Sequence, residues 1–179
     1  MIAKHLGVMF FVLTTLAGFS QGVSISEARG LYFSMRNDPL AALKLYKRMN
    51  DEKQNFIPVL LAYKGASSAA SAGEVNGLNN KFSYFIQGKV YLEQAVRLDP
   101  KDPEIRFLRL ATQTNAPGFL FYKGNIREDK KIVMEGLADL LAKKNERSMA
   151  LNIVRSLLVF DCISAQEKQF INQLILLYE

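Results

Sequence analysis

Residues 82–111, FSYFIQGKVYLEQAVRLDPKDPEIRFLRLA, decide the fold. Phe85, Gly88, Leu92 and Ala95 recur at spacings of three and four, the period of one helix face. Asp99-Pro100 ends that helix. Asp102-Pro103 starts the next, with aspartate as N-cap and proline in the first turn, where its missing N–H costs nothing. The new helix turns Phe107, Leu108, Leu110 and Ala111 inward and ends near Thr114. A connection this short makes the two helices neighbours in space.

The same signals extend in both directions. Ser24-Ile25-Ser26-Glu27 has capping-box spacing and opens a helix over about 26–36. Asp38-Pro39 restarts the chain as a second helix running to about Met49, with its period set by Leu40, Leu43 and Tyr46. A third, over 57–71, passes into small residues from Gly65 to Ala70, which let a neighbouring helix come close. Residues 71–81 (SAGEVNGLNNK) read as a loop. Residues 115–125 (NAPGFLFYKGN) read as another, whose Phe119, Leu120, Phe121 and Tyr122 should fold onto the domain. Further helices are expected over 126–144, with Val133, Leu137, Leu140 and Leu141 inward, and over 147–160. The last follows a second capping-box spacing, Ser164 to Glu167, with an apolar stripe of Phe170, Ile171, Leu174, Leu177 and Tyr178. No period-2 alternation bounded by turns is present. The expectation is an all-α domain over 23–179, about eight helices paired antiparallel.

Composition agrees with a folded chain: 49% of residues are apolar and 22% charged, with 5 prolines. The net charge of +6 is spread in mixed runs such as Arg127-Glu128-Asp129-Lys130-Lys131, which argues against a nucleic-acid groove.

Residues 1–22 read as a cleaved signal peptide. Lys4 and His5 precede the apolar run 6–16 (LGVMFFVLTTL), too short to span a bilayer as a helix, and then the small residues Ala17 and Gly18. Leu16-Ala17-Gly18 is followed by Phe19 and not by cysteine, so a lipid anchor attached at that point is excluded. The expected address is the periplasm of a Gram-negative bacterium or the medium beyond, with no membrane span in the mature chain.

Cys162 is the one cysteine, so no disulfide forms within the chain, and its apolar neighbours suggest a buried, inert thiol. The one histidine, His5, lies in the leader. The mature chain would therefore lack the usual general base near neutral pH, the Ser-His-Asp and Cys-His systems and histidine-containing zinc sites. No cofactor or metal site is expected. Residues 73–77 lack the phosphate-loop pattern, and Lys64 with Ser67 or Ser68 does not have the S-x-x-K order.

Gly88, Leu92, Ala95 and Pro100 place a small residue, a large apolar residue, alanine and proline at the spacings of a helix exit that resembles a tetratricopeptide repeat. Ala42 and Tyr46 repeat the small and aromatic positions, with Met49 in place of the alanine. Ala42 and Gly88 stand 46 residues apart where that family's period is about 34, which implies an insertion around 71–81. The resemblance covers roughly 24–114. It implies stacked helix pairs and, by analogy of fold alone, peptide or protein binding. Residues 105–131 also resemble a group of small exported bacterial proteins, from which no site residue carries over.

The candidate binding surface is the helix over 103–114 with the loop after it. Arg106, Arg109 and Gln113 share one face, Asn115 and Tyr122 follow in the loop, and Lys130 lies on the next helix. Paired arginines can grip a carboxylate or phosphate by forked hydrogen bonds. They can equally brace the loop, or pair with Glu104 or Asp129. The sequence thus points to a non-catalytic envelope module that binds a protein or peptide. The alternative is a small-molecule or lipid carrier with a cavity of Phe107, Phe119, Phe121 and Tyr122. A third reading is a histidine-free enzyme using carboxylates or Lys64.

Overall fold

The computed structural model describes residues 22–49 and 57–178. These form eight α-helices, with no strand among the described residues: α1 Ile25–Ser34, α2 Ala41–Arg48, α3 Pro58–Ser71, α4 Leu78–Leu98, α5 Pro103–Asn115, α6 Ile126–Ala142, α7 Arg147–Leu157 and α8 Ala165–Tyr178. The expected all-α architecture is therefore the observed one. The leader reading covers residues 1–22, of which 1–21 lie outside the described part.

The starts of three helices follow the chemistry of their first residues. Ser24 caps α1, its Oγ accepting from the Glu27 N–H at 3.2 Å. Asp102 caps α5, one Oδ accepting from the Glu104 and Ile105 N–H groups at 2.7 and 3.0 Å. Before α8, Ser164 Oγ accepts from the Glu167 N–H while the Glu167 carboxylate accepts from the Ser164 N–H, a reciprocal capping box.

Two expected features are corrected. Leu40 is half exposed, and α2 buries Ala41, Ala42 and Leu45 instead of the Leu40-Leu43-Tyr46 face. The helix starts later than Asp38-Pro39 suggested, because Asp38 makes a turn first: its carboxylate accepts from the Leu40 N–H and its carbonyl from the Ala41 N–H. In addition, α4 begins at Leu78 and not at 82, after Gly77, whose φ of +84° lies in the region that favours glycine.

The tightest crossing joins α3 to α4. A Cβ on Gly65 would lie 2.8 Å from the Gly88 carbonyl oxygen, and a Cβ on Gly88 would lie 2.5 Å from that of Gly65. The run of small residues in α3 exists for this approach. The two helices are antiparallel, with Ser68 Oγ donating to the Tyr84 carbonyl at 2.9 Å and the Lys64 ammonium 4.8 Å from the Tyr91 ring centre. α5 and α6 also run antiparallel: Pro103 touches Gly136, and Arg106 and Arg109 meet Asp129. The main core includes Leu45, Leu61, Tyr63, Leu92, Phe107, Leu137 and Ile153, and a satellite cluster gathers Ala69, Phe85, Ala116 and Tyr122.

Candidate functional site

Five of the six residues singled out from sequence are turned into the protein. Asp129 is fully buried and receives a forked pair from Arg109, Nε to Oδ2 at 2.8 Å and Nη2 to Oδ1 at 2.7 Å. Arg106 Nη1 adds a third bond to Oδ1 at 2.8 Å, and Arg106 Nε donates to the Pro100 carbonyl. The remaining arm of Arg109 reaches Glu93, whose other oxygen accepts from the Tyr122 hydroxyl at 2.8 Å. Burial, and then the Glu93 carboxylate beside it, push the Tyr122 phenol far above its usual range. The network bolts α4, α5, α6 and the following loop together. Of the two uses open to these arginines, the structure places them in the bracing one, with Asp129 as partner.

Lys130 is likewise engaged, its ammonium donating to the Cys162 carbonyl at 3.0 Å and pairing with Glu167 at 2.9 Å. Slight burial opposes the charge on Glu167, yet the Ser164 N–H and Lys130 hold its carboxyl below the usual range. Cys162 is half-buried and not enclosed as expected, and burial raises its thiol pKa. Gln113 is fully buried and neither amide atom has a hydrogen-bond partner. Asn115 alone faces an opening.

The aromatic cavity of the alternative carrier reading does not form from those four rings. Phe107 stacks between Phe33 and Phe160 in the main core. Phe121 points outward, 89% exposed, with φ +48°. Tyr122 packs edge-on against Phe85. Only Phe119 faces a hollow, in edge contact with Phe82.

That hollow is open to solvent. It is an apolar groove of about 520 Å³ between the C-terminal half of α3, the N-terminal half of α4 and the C-terminal end of α5, roofed by a 3-10 turn at Gly118–Leu120. Ala66, Ala69 and Ala111 form its floor, and Phe82, Phe85 and Phe119 its walls. Lys81 is the one charged side chain lining it, and no carboxylate does. Size and lining suit a bulky apolar group. Sequence reasoning missed it because its small residues come from helices far apart in the chain.

A smaller polar hollow near Asp102, Glu104, Asp139 and Glu146 brings carboxylates together. Three of the four are committed: Asp102 caps α5, Glu146 pairs with Lys143, and Glu104 receives a forked pair from Arg29 at 2.6 and 2.7 Å and the Tyr63 hydroxyl at 2.7 Å. The Ser67 and Ser68 hydroxyls donate to main-chain carbonyls, so neither is directed at the Lys64 ammonium. Among the described residues no group of three or more His, Cys, Asp or Glu could hold a metal ion, and no helix is long and apolar enough to cross a membrane. No family model, no curated protein and no solved structure matches this chain.

Proposed function

We propose that this protein is an exported, non-catalytic helical module of the cell envelope that binds a protein or peptide partner by seating an apolar side chain in the groove between α3, α4 and α5. The observation that carries the reading is the groove itself: open, walled by aromatics over an alanine floor, and bearing one charge. Export is supported by the leader pattern, Lys4 followed by the apolar run 6–16. The tetratricopeptide resemblance points the same way, by analogy of fold. The arginine cluster is assigned no ligand, since its hydrogen bonds are spent internally.

Selection of peptides from a random display library against the purified protein tests this. Recovered peptides should carry large apolar residues and lose about tenfold in affinity, about 1.4 kcal/mol, against Ala70→Trp, which fills the groove from an exposed wall. Peptides that bind Ala70→Trp equally well would remove the groove from the interaction.

A further inference from the structure

The groove opens onto a row of apolar side chains that the described structure leaves exposed, Phe82 being partly covered by Phe119. Leu78, Phe82, Ile86 and Val90 follow one another at four-residue intervals on α4, and all four are exposed. Four-residue spacing makes one ridge of a helix surface, the kind of ridge that a second helix takes into its grooves. The twelve helical steps from Leu78 to Val90 give the ridge a length of about 18 Å. Scattered exposed apolar residues are ordinary, but a continuous ridge beside an apolar groove is not.

Charge selects the occupant. The neighbouring row of α4 reads Lys81, Phe85, Lys89, Glu93. Glu93 is drawn off by Arg109 and Tyr122, and α4 carries no other acidic residue. Lys81 lines the groove and the Lys89 ammonium lies 5.1 Å from the Tyr122 ring centre, so both lysines stand on the row beside the apolar ridge. The surface is therefore an apolar line edged with positive charge, and its complement is an apolar line edged with negative charge.

We infer that the partner docks as an amphipathic helix with acidic flanks, laid along the α4 ridge with one large apolar side chain in the groove. The inference rests on the binding role proposed above and specifies the partner's chemistry. Helix-in-groove docking reads apolar anchors at helical spacing, and the flanking charges decide which helices are accepted.

Two labelled 18-residue peptides with the same leucine row test it, one flanked by glutamate and the other by lysine, with fluorescence anisotropy on the full protein as readout. The glutamate peptide should bind about tenfold or more tightly than the lysine peptide, and added salt should shrink the difference. The double variant Lys81→Glu, Lys89→Glu should reverse the preference. Ile86→Ser with Val90→Ser lies beyond the groove and should weaken the glutamate peptide by a similar factor, with the helical circular dichroism unchanged. Equal binding of the two peptides, or a preference that survives the charge reversal, would overturn the acidic-helix assignment. The groove reading would then stand or fall separately on Ala70→Trp. Binding of dodecanoate or of phosphatidylglycerol vesicles with no peptide binding would overturn both in favour of a hydrocarbon ligand.

Discussion

Asp129 holds two guanidinium groups in a place that water does not reach. Removing Asp129 leaves two buried guanidinium groups short of their buried carboxylate, Arg109 left with Glu93 and Arg106 with the surface Glu128, and that loss costs more than the interaction gained when the set formed. Asp129→Ala should therefore lower unfolding stability by about 3–5 kcal/mol in urea titration. Glu128 also meets Arg106, but from the surface, and Glu128→Gln should cost under about 1 kcal/mol. Similar losses for both variants would mean that the arginines are not held by Asp129. From sequence, the three-and-four spacing correctly put Arg106, Arg109 and Gln113 on one face, and Asp129 was within view as a partner. Nothing local could say whether that face meets α6 or solvent, because the answer comes from a carboxylate 20 residues further on.

Helix pairing turns on the crossing of α3 and α4. Alanine normally favours a helix over glycine by about 1 kcal/mol. At Gly65 and Gly88 the added methyl would press on main-chain atoms of the facing helix, which have no side-chain freedom to move aside. Gly65→Ala and Gly88→Ala should each destabilise by about 1–3 kcal/mol. Gly30, in α1, has nothing within 4 Å of such a methyl, and Gly30→Ala should stabilise by about 0.5–1 kcal/mol. Thermal unfolding of the three variants reads the contrast directly, and a stabilised Gly88→Ala would refute the close crossing. α5 and α6, with strong caps or large apolar periods, were legible from their residues; α8 was legible from its capping box, but of its expected stripe only Ile171 and Leu174 are buried, while Phe170 and Leu177 are exposed. α2 was expected where it lies, but its inward face was not legible, since it is anchored by Ala41, Ala42 and Leu45, and alanine gives a period reading almost no weight. The turn after α5 misled for a different reason. Four successive large apolar residues cannot all face inward from one short segment: Tyr122 is buried, while Phe119 and Phe121 are exposed.

Across the whole molecule, stability should fall on the alkaline side. The phenols of Tyr63 and Tyr122 are raised well above 10.0, chiefly by burial and then by the carboxylates of Glu104 and Glu93. Unfolded tyrosines ionise near 10, while these two stay protonated as long as the fold holds. Above that pH the unfolded chain binds fewer protons than the native one, so stability declines as pH rises. Loss of helical circular dichroism should coincide with titration of the last phenols, those of Tyr63 and Tyr122 together with Tyr32, which burial also raises, followed by tyrosinate absorbance. Full titration near pH 10 with helices intact would contradict their burial. The same Glu104 has a temporal consequence. It ties Arg29 on α1 to α5 across 75 residues, whereas α3 meets α4 and α5 meets α6 over far shorter loops. Closing a long loop costs more chain entropy than closing a short one, so nearby hairpins are favoured to assemble first. Among the described helices α1 is made first, yet its tie to α5 closes only after the hairpins made later have formed.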